Sequence, residues 1–132
     1  VVFPRLSDLA ARITIEPELT NEKEYLAQAF ATVGIVPDTT LVGIEPLPGE
    51  IEAAAESAAA ADATILFLYD AHLYASNRAL LEALQARARA LAVVLLRDPY
   101  DATLLQPEVL GITAYGFRRC QLDAVIARLG HR

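Results

Sequence analysis

Two short runs concentrate the side chains that could do chemistry. Tyr69-Asp70-Ala71-His72-Leu73-Tyr74 is the densest polar and aromatic cluster, and Arg97-Asp98-Pro99-Tyr100-Asp101 sets a cation, two carboxylates and a phenol within five residues. A histidine beside a carboxylate could serve as an acid–base pair, because imidazole changes charge near neutral pH. The second run reads either as a clamp for a polar substrate or as turn chemistry, with Asp98 capping a short turn and Pro99 at its first position. A third run, Arg118-Arg119-Cys120, either holds an anion at the start of a helix, where amide donors lack partners, or forms a solvated basic face. Each run also has an architectural reading. Asp70 caps a turn, His72 packs in a loop or at a domain interface, and Cys120, with no histidine near it in sequence, is a small buried hydrophobe. The candidate interdomain or cleft-lining residues are Asp70, His72, Tyr74, Arg97, Asp98, Tyr100 and Arg118.

The elements that position these runs follow from periodicity. Residues 63–69 and 92–96 are apolar without polar alternation, as in strands covered on both faces; 109–115 reads as a further strand and 40–44 as a short β-branched one. Val1-Val2-Phe3 before Pro4 looks like the end of a strand. Asn21-Glu22-Lys23-Glu24 opens a helix that carries Tyr25, Leu26, Ala29, Phe30 and Val33 on one face and stops at Gly34. Further helices are expected at 50–60, presenting Ile51, Ala54, Ala55 and Ala58; at 78–90, capped by Ser76 or Asn77; and at 121–129. Residues 5–20 give no clean period and read as a long loop with a short extended piece at 13–15.

Strands alternating with helices at this spacing predict parallel βαβ units, hence a three-layer α/β/α sandwich with a mainly parallel, about five-stranded flavodoxin-like sheet of order 2-1-3-4-5. In such sheets ligands bind beyond the carboxyl ends of the strands. That rule points to Arg5, Glu45, residues 70–72, Arg97, Asp98 and residues 115–118.

A chain of 132 residues, 55% hydrophobic and 21% charged, has the size of one domain and lies outside the composition of disordered chains. Its net charge of −6 divides into −8 over residues 1–62 and +2 over 63–132, with no basic stripe to meet nucleic-acid phosphates. No apolar run reaches the ~18–20 residues of a membrane span, so neither nucleic acid nor membrane is expected as a partner. One cysteine excludes an internal disulfide framework and a cysteine-based zinc cluster. There is no Gly-x-Gly-x-x-Gly, no Walker loop and no Gly-x-Ser-x-Gly elbow, and His72 lies far from His131; no cofactor and no metal are expected. The chain has no methionine and begins in mid-pattern for a strand, from which we expect one domain, residues 1–132, of a longer protein.

Several segments together resemble a known family. Ala61-Asp62-Ala63-Thr64-Ile65 leading into residues 69–74, Ser76-Asn77-Arg78-Ala79-Leu80-Leu81-Glu82-Ala83-Leu84, Val93-Val94-Leu95-Leu96-Arg97-Asp98-Pro99-Tyr100-Asp101 and Thr113-Ala114-Tyr115-Gly116-Phe117 are similar to the second, C-terminal α/β domain of bacterial family 3 glycoside hydrolases of the β-N-acetylhexosaminidase type. The likeness covers most of residues 1–130 and is strongest from 61 onward. It implies a preceding (β/α)8 barrel that carries the nucleophilic aspartate and a histidine–aspartate acid/base pair, so no position here inherits a catalytic role. In the β-glucosidase branch the second domain supplies the acid/base glutamate, a role that the resemblance carries over to no glutamate of this sequence. Retaining hydrolysis needs two groups ~5–5.5 Å apart across the scissile bond, so half a site is expected to be inactive alone. The resemblance thus implies an accessory domain that packs on the catalytic barrel of its parent chain through residues 69–76 and 97–101. Carbohydrate would lie near the strand-end loops, and fragments could self-associate through the face the barrel covers. The other reading is a standalone small-ligand-binding or regulatory module that uses the strand-end crevice.

Overall fold

The computed structural model describes residues 1–8 and 21–130. Five parallel strands form one sheet: β1 (Val2–Pro4), β2 (Thr40–Val42), β3 (Thr64–Leu68), β4 (Leu91–Leu95) and β5 (Leu110–Thr113), in the order β2-β1-β3-β4-β5. Helices α1 (Glu22–Ala31), α2 (Pro48–Ala60), α3 (Ala75–Arg87) and α4 (Arg119–Gly130) cover it, and a 3-10 helix (Pro99–Leu104) lies between β4 and β5. The expected α/β sandwich and strand order are borne out.

Alternation along the strands builds two apolar layers. Phe3, Phe67 and Val94 face one side, where Tyr25, Leu26 and Phe30 of α1 and Leu122, Val125 and Ile126 of α4 close over them. Their sequence neighbours Val2, Leu66, Leu68, Val93 and Leu95 face the other side, against Ala54 and Ala58 of α2 and Leu80, Leu81 and Leu84 of α3. Strands buried on both faces are apolar at nearly every position, which explains the hydrophobic runs at residues 65–68 of β3 and Leu91–Leu95 of β4. The small side chains of α2 let it approach the sheet closely.

Local chemistry sets the ends. Asn21 Oδ1 accepts the Glu24 N–H at 3.1 Å, and the chain leaves α1 through Gly34, whose φ of +76° suits a residue without Cβ. Pro48 stands at the first turn of α2, where Glu50 Oε1 accepts the Leu47 N–H at 3.0 Å. Asp98 Oδ1 accepts the Tyr100 N–H at 2.9 Å, capping the 3-10 helix with Pro99 behind it as expected.

Several boundaries differ from expectation. Helix α2 begins two residues before residue 50 because Pro48 can serve as first helical residue. Helix α3 begins at Ala75, with Tyr74 rather than Ser76 or Asn77 at the capping position, and ends at Arg87. Asn77 is buried inside the first turn and spends its amide on a tertiary bond. Strand β2 stops at Val42 and β5 at Thr113, while α4 takes in Arg119 and Cys120. Cys120 is exposed, not buried, since Leu122, Val125, Ile126 and Leu129 occupy the inward face of α4. The extended piece expected at 13–15 lies outside the described residues.

Candidate functional site

Because all five strands are parallel, their following loops collect at one end of the sheet. Strand β3 delivers Asp70, His72 and Tyr74 there, and β4 delivers Arg97, Asp98 and Tyr100. The backbone turns sharply at Asp70, whose φ of +40° is a left-handed conformation that aspartate tolerates better than branched residues.

Asp101 organises the cluster. Its side chain is 1% exposed; Oδ2 accepts the Ala71 N–H at 2.9 Å, and Oδ1 accepts both the His72 N–H at 2.9 Å and the His72 ring at Nδ1, 2.7 Å away. One buried carboxylate thus pins the loop after β3 to the 3-10 helix after β4. The other ring nitrogen of His72, Nε2, lies 3.5 Å from Asp98 Oδ2. The ring centroids of His72 and Tyr100 are 6.2 Å apart, and Tyr100 is 71% exposed.

Asp70 sits beside this arrangement, 1% exposed, with Oδ2 3.4 Å from Arg97 Nε. Its Oδ1 is buried and has no hydrogen-bond partner among the described residues. Burial raises the Asp70 carboxyl above the ordinary carboxylate range; Arg97 and His72 pull it back, and Asp101 and Asp98 reinforce the rise. The Arg97 guanidinium, half-exposed, lies 5.8 Å over the Tyr69 ring and 3.4 Å from its hydroxyl. Burial likewise raises the Tyr69 phenol, with Asp70 adding to it. Tyr74 stacks on Tyr69 at 5.9 Å and Phe117 meets that ring edge-on at 6.1 Å, which ties the aromatic layer to the core.

Six of the seven expected residues therefore meet at the ends of β3 and β4. Tyr74 stands among them as a packing residue. Arg118 stands apart: its carbonyl accepts the N–H groups of Gln121 and Leu122 at 3.0 Å, and its guanidinium, exposed, forms no ion pair among the described residues. Arg5 is committed elsewhere, to Glu50 at 3.0 Å and Asp8 at 3.2 Å. Two residues have roles that their sequence readings do not give. Asp101, read only as part of the run after β4, organises the cluster; Asn77, read as a candidate helix cap, instead donates to the Ile44 carbonyl at 2.7 Å.

The same end of the sheet carries exposed apolar surface. Leu47, Leu73, Tyr100 and Tyr115, one from the loop after each of β2, β3, β4 and β5, are all exposed, whereas Ile35 and Val36 lie at the opposite end, before β2. Among the described residues, grooves lie between α1 and α4, beside the start of β1 and along β5 and α4, and these are not lined by Asp70, His72, Asp98 or Tyr100. Among the described residues no group of three or more histidine, cysteine, aspartate or glutamate side chains is placed to hold a metal ion, and no helix is long and apolar enough to cross a membrane.

The fold defines the class first: a three-layer α/β domain with a flavodoxin-like parallel sheet. No protein-family model and no curated protein matches the chain. Among solved structures it is similar to a glycoside hydrolase family 3 beta-N-acetylglucosaminidase from Paenibacillus sp. str. FPU-7, at 25% sequence identity and a TM-score of 0.74 over 86% of this chain. The resemblance read from residues 61–117 is thereby matched by the fold. The chain spans 22% of the length of that beta-N-acetylglucosaminidase chain.

Proposed function

We propose that this chain is an accessory α/β domain of a family 3 glycoside hydrolase acting on β-N-acetylhexosaminides, and that it contributes architecture rather than catalytic groups. The observation that carries the reading is the fold match to a family 3 beta-N-acetylglucosaminidase over 86% of this chain but 22% of the other. A catalytic (β/α)8 barrel of the same parent is the partner, and it packs on the end of the sheet where Leu47, Leu73, Tyr100 and Tyr115 are exposed. Aromatic side chains and arginine are enriched at such interfaces, where apolar groups form the centre and polar groups the rim. Carbohydrate bound by the barrel would lie beside these loops.

The chemistry supports the absence of turnover. The two oppositely placed carboxyl groups of a retaining site need an open space about 5 Å wide between them. Here Asp70 and Asp101 are buried, and Asp101 is saturated with donors from Ala71 and His72. Purified alone, the chain is expected to leave an aryl N-acetyl-β-glucosaminide unhydrolysed, and the sequence encoded upstream of Val1 to contain a barrel. Turnover by the isolated chain that disappears in His72→Ala, or an upstream sequence without a barrel, would overturn the reading.

A further inference from the structure

We propose that His72 is a proton-operated clasp between the loop after β3 and the turn after β4, so that protonation sets how tightly the Tyr100 edge of the strand-end face is held. The geometry is unequal on the two sides of the ring. Nδ1 is 2.7 Å from Asp101 Oδ1, and that carboxylate is held in place by the backbone N–H groups of Ala71 and His72, which it also accepts. Nε2 is 3.5 Å from Asp98 Oδ2, longer than a formed hydrogen bond. A neutral imidazole has a single N–H, and the close Asp101 carboxylate takes it. The Nε2 lone pair then faces the Asp98 oxygen with no hydrogen between them.

A proton added to Nε2 turns this contact into a charge-assisted bond, whose ordinary length is about 2.7–2.9 Å. The Asp98 carboxylate is the partner free to move, being a third exposed, whereas Asp101 is fixed. The other Asp98 oxygen holds the Tyr100 N–H at 2.9 Å, so drawing Asp98 inward carries Tyr100 with it. The remaining charged groups around the ring are Asp70 on its own loop and Arg97 at the end of β4, which face each other at 3.4 Å. Only the consequence for a partner rests on the proposed docking role of this face; the clasp itself stands on these distances.

Nuclear magnetic resonance on the isolated chain tests it. At pH 8 the His72 ring nitrogens should show the Nδ1–H tautomer. Between pH 8 and 5 the protection factor of the Tyr100 amide against hydrogen exchange should rise at least threefold. In Asp98→Asn the side-chain oxygen can still cap Tyr100, while its NH2 group donates to neutral Nε2 and opposes a protonated one. The response should therefore invert, with Tyr100 better protected at pH 8 than at pH 5. Titration of Asp70 would give the same sign in both proteins and cannot mimic the inversion. An Nε2–H tautomer at pH 8, protection indifferent to pH in the parent chain, or an unchanged sign in Asp98→Asn would each overturn the clasp. None of these measurements involves a barrel or a sugar, so failure here leaves the accessory role standing, and failure of that role leaves the clasp standing.

Discussion

Asp70 is held in a way that costs stability. It combines a left-handed backbone with a buried oxygen that lacks a partner among the described residues, a deficit typically worth about 1–3 kcal/mol. Its raised carboxyl fixes the sign of the pH dependence. The folded state holds the Asp70 proton to higher pH than the unfolded state does, so this group favours folding most in acid, and its contribution falls as pH rises from about 3.8 through the raised value. In Asp70→Asn, which keeps the shape and tolerates the same φ, that pH-dependent loss should vanish, and stability at pH 7 should equal or exceed the parent's. Urea denaturation of both proteins at pH 4.5 and 7 measures the difference; an equally steep decline in the asparagine variant would refute the assignment. At this scale the sequence was informative about residue types and less so about their relations. His72 beside carboxylates could be read from the chain, but that Asp101 would reach back 29 residues to fix the histidine could not, because the bond exists only after β3 and β4 pair. Arg118 stood with Arg97 among the candidate cleft-lining residues; lying after β5 rather than β4, it is carried away from the cluster.

At the scale of elements, helix α3 shows how a tertiary bond displaces a local one. Ser76 and Asn77 both have cap-forming side chains, yet the helix starts ahead of them, because the amide of Asn77 is drawn inward to the Ile44 carbonyl beyond β2. That bond joins α3 to the neighbouring strand-end loop across the α2–α3 layer. Truncation by Asn77→Ala should leave the carbonyl buried without this donor and cost about 1–3 kcal/mol, with the fold retained. Chemical denaturation quantifies it, and a loss below about 0.5 kcal/mol would show that the Asn77–Ile44 bond contributes little to stability. The strands were more legible than the helix ends. Residues 63–69 and 92–96 contain β3 and most of β4, since burial on both faces demands continuous apolarity, whereas the start of α3 depended on a partner 33 residues away.

At the scale of the whole molecule, two apolar layers and a parallel sheet account for the fold, and the strand-end face accounts for the proposed role. Between helices, the exposed Glu52 of α2 meets Arg87 of α3 at 2.9 Å, a surface pair of the kind that contributes about 0–1 kcal/mol. The sheet itself is not uniform. Strand β1 pairs with β2 at three positions but with β3 only at Val2 and Leu66, because Pro4 has no N–H to continue that ladder. A central seam carried by so few bonds is where the native state would part first. The β1–β2 ribbon is then a unit that can open while β3, β4 and β5 remain closed, and native-state hydrogen exchange should find the amides of β2 less protected than those of β3 and β4 by at least tenfold. Equal protection across the sheet would mean that helix packing, not the ladder, governs opening. The proline that marks the end of the first strand in the sequence is, in the folded chain, the place where the sheet is expected to divide into two cooperative parts.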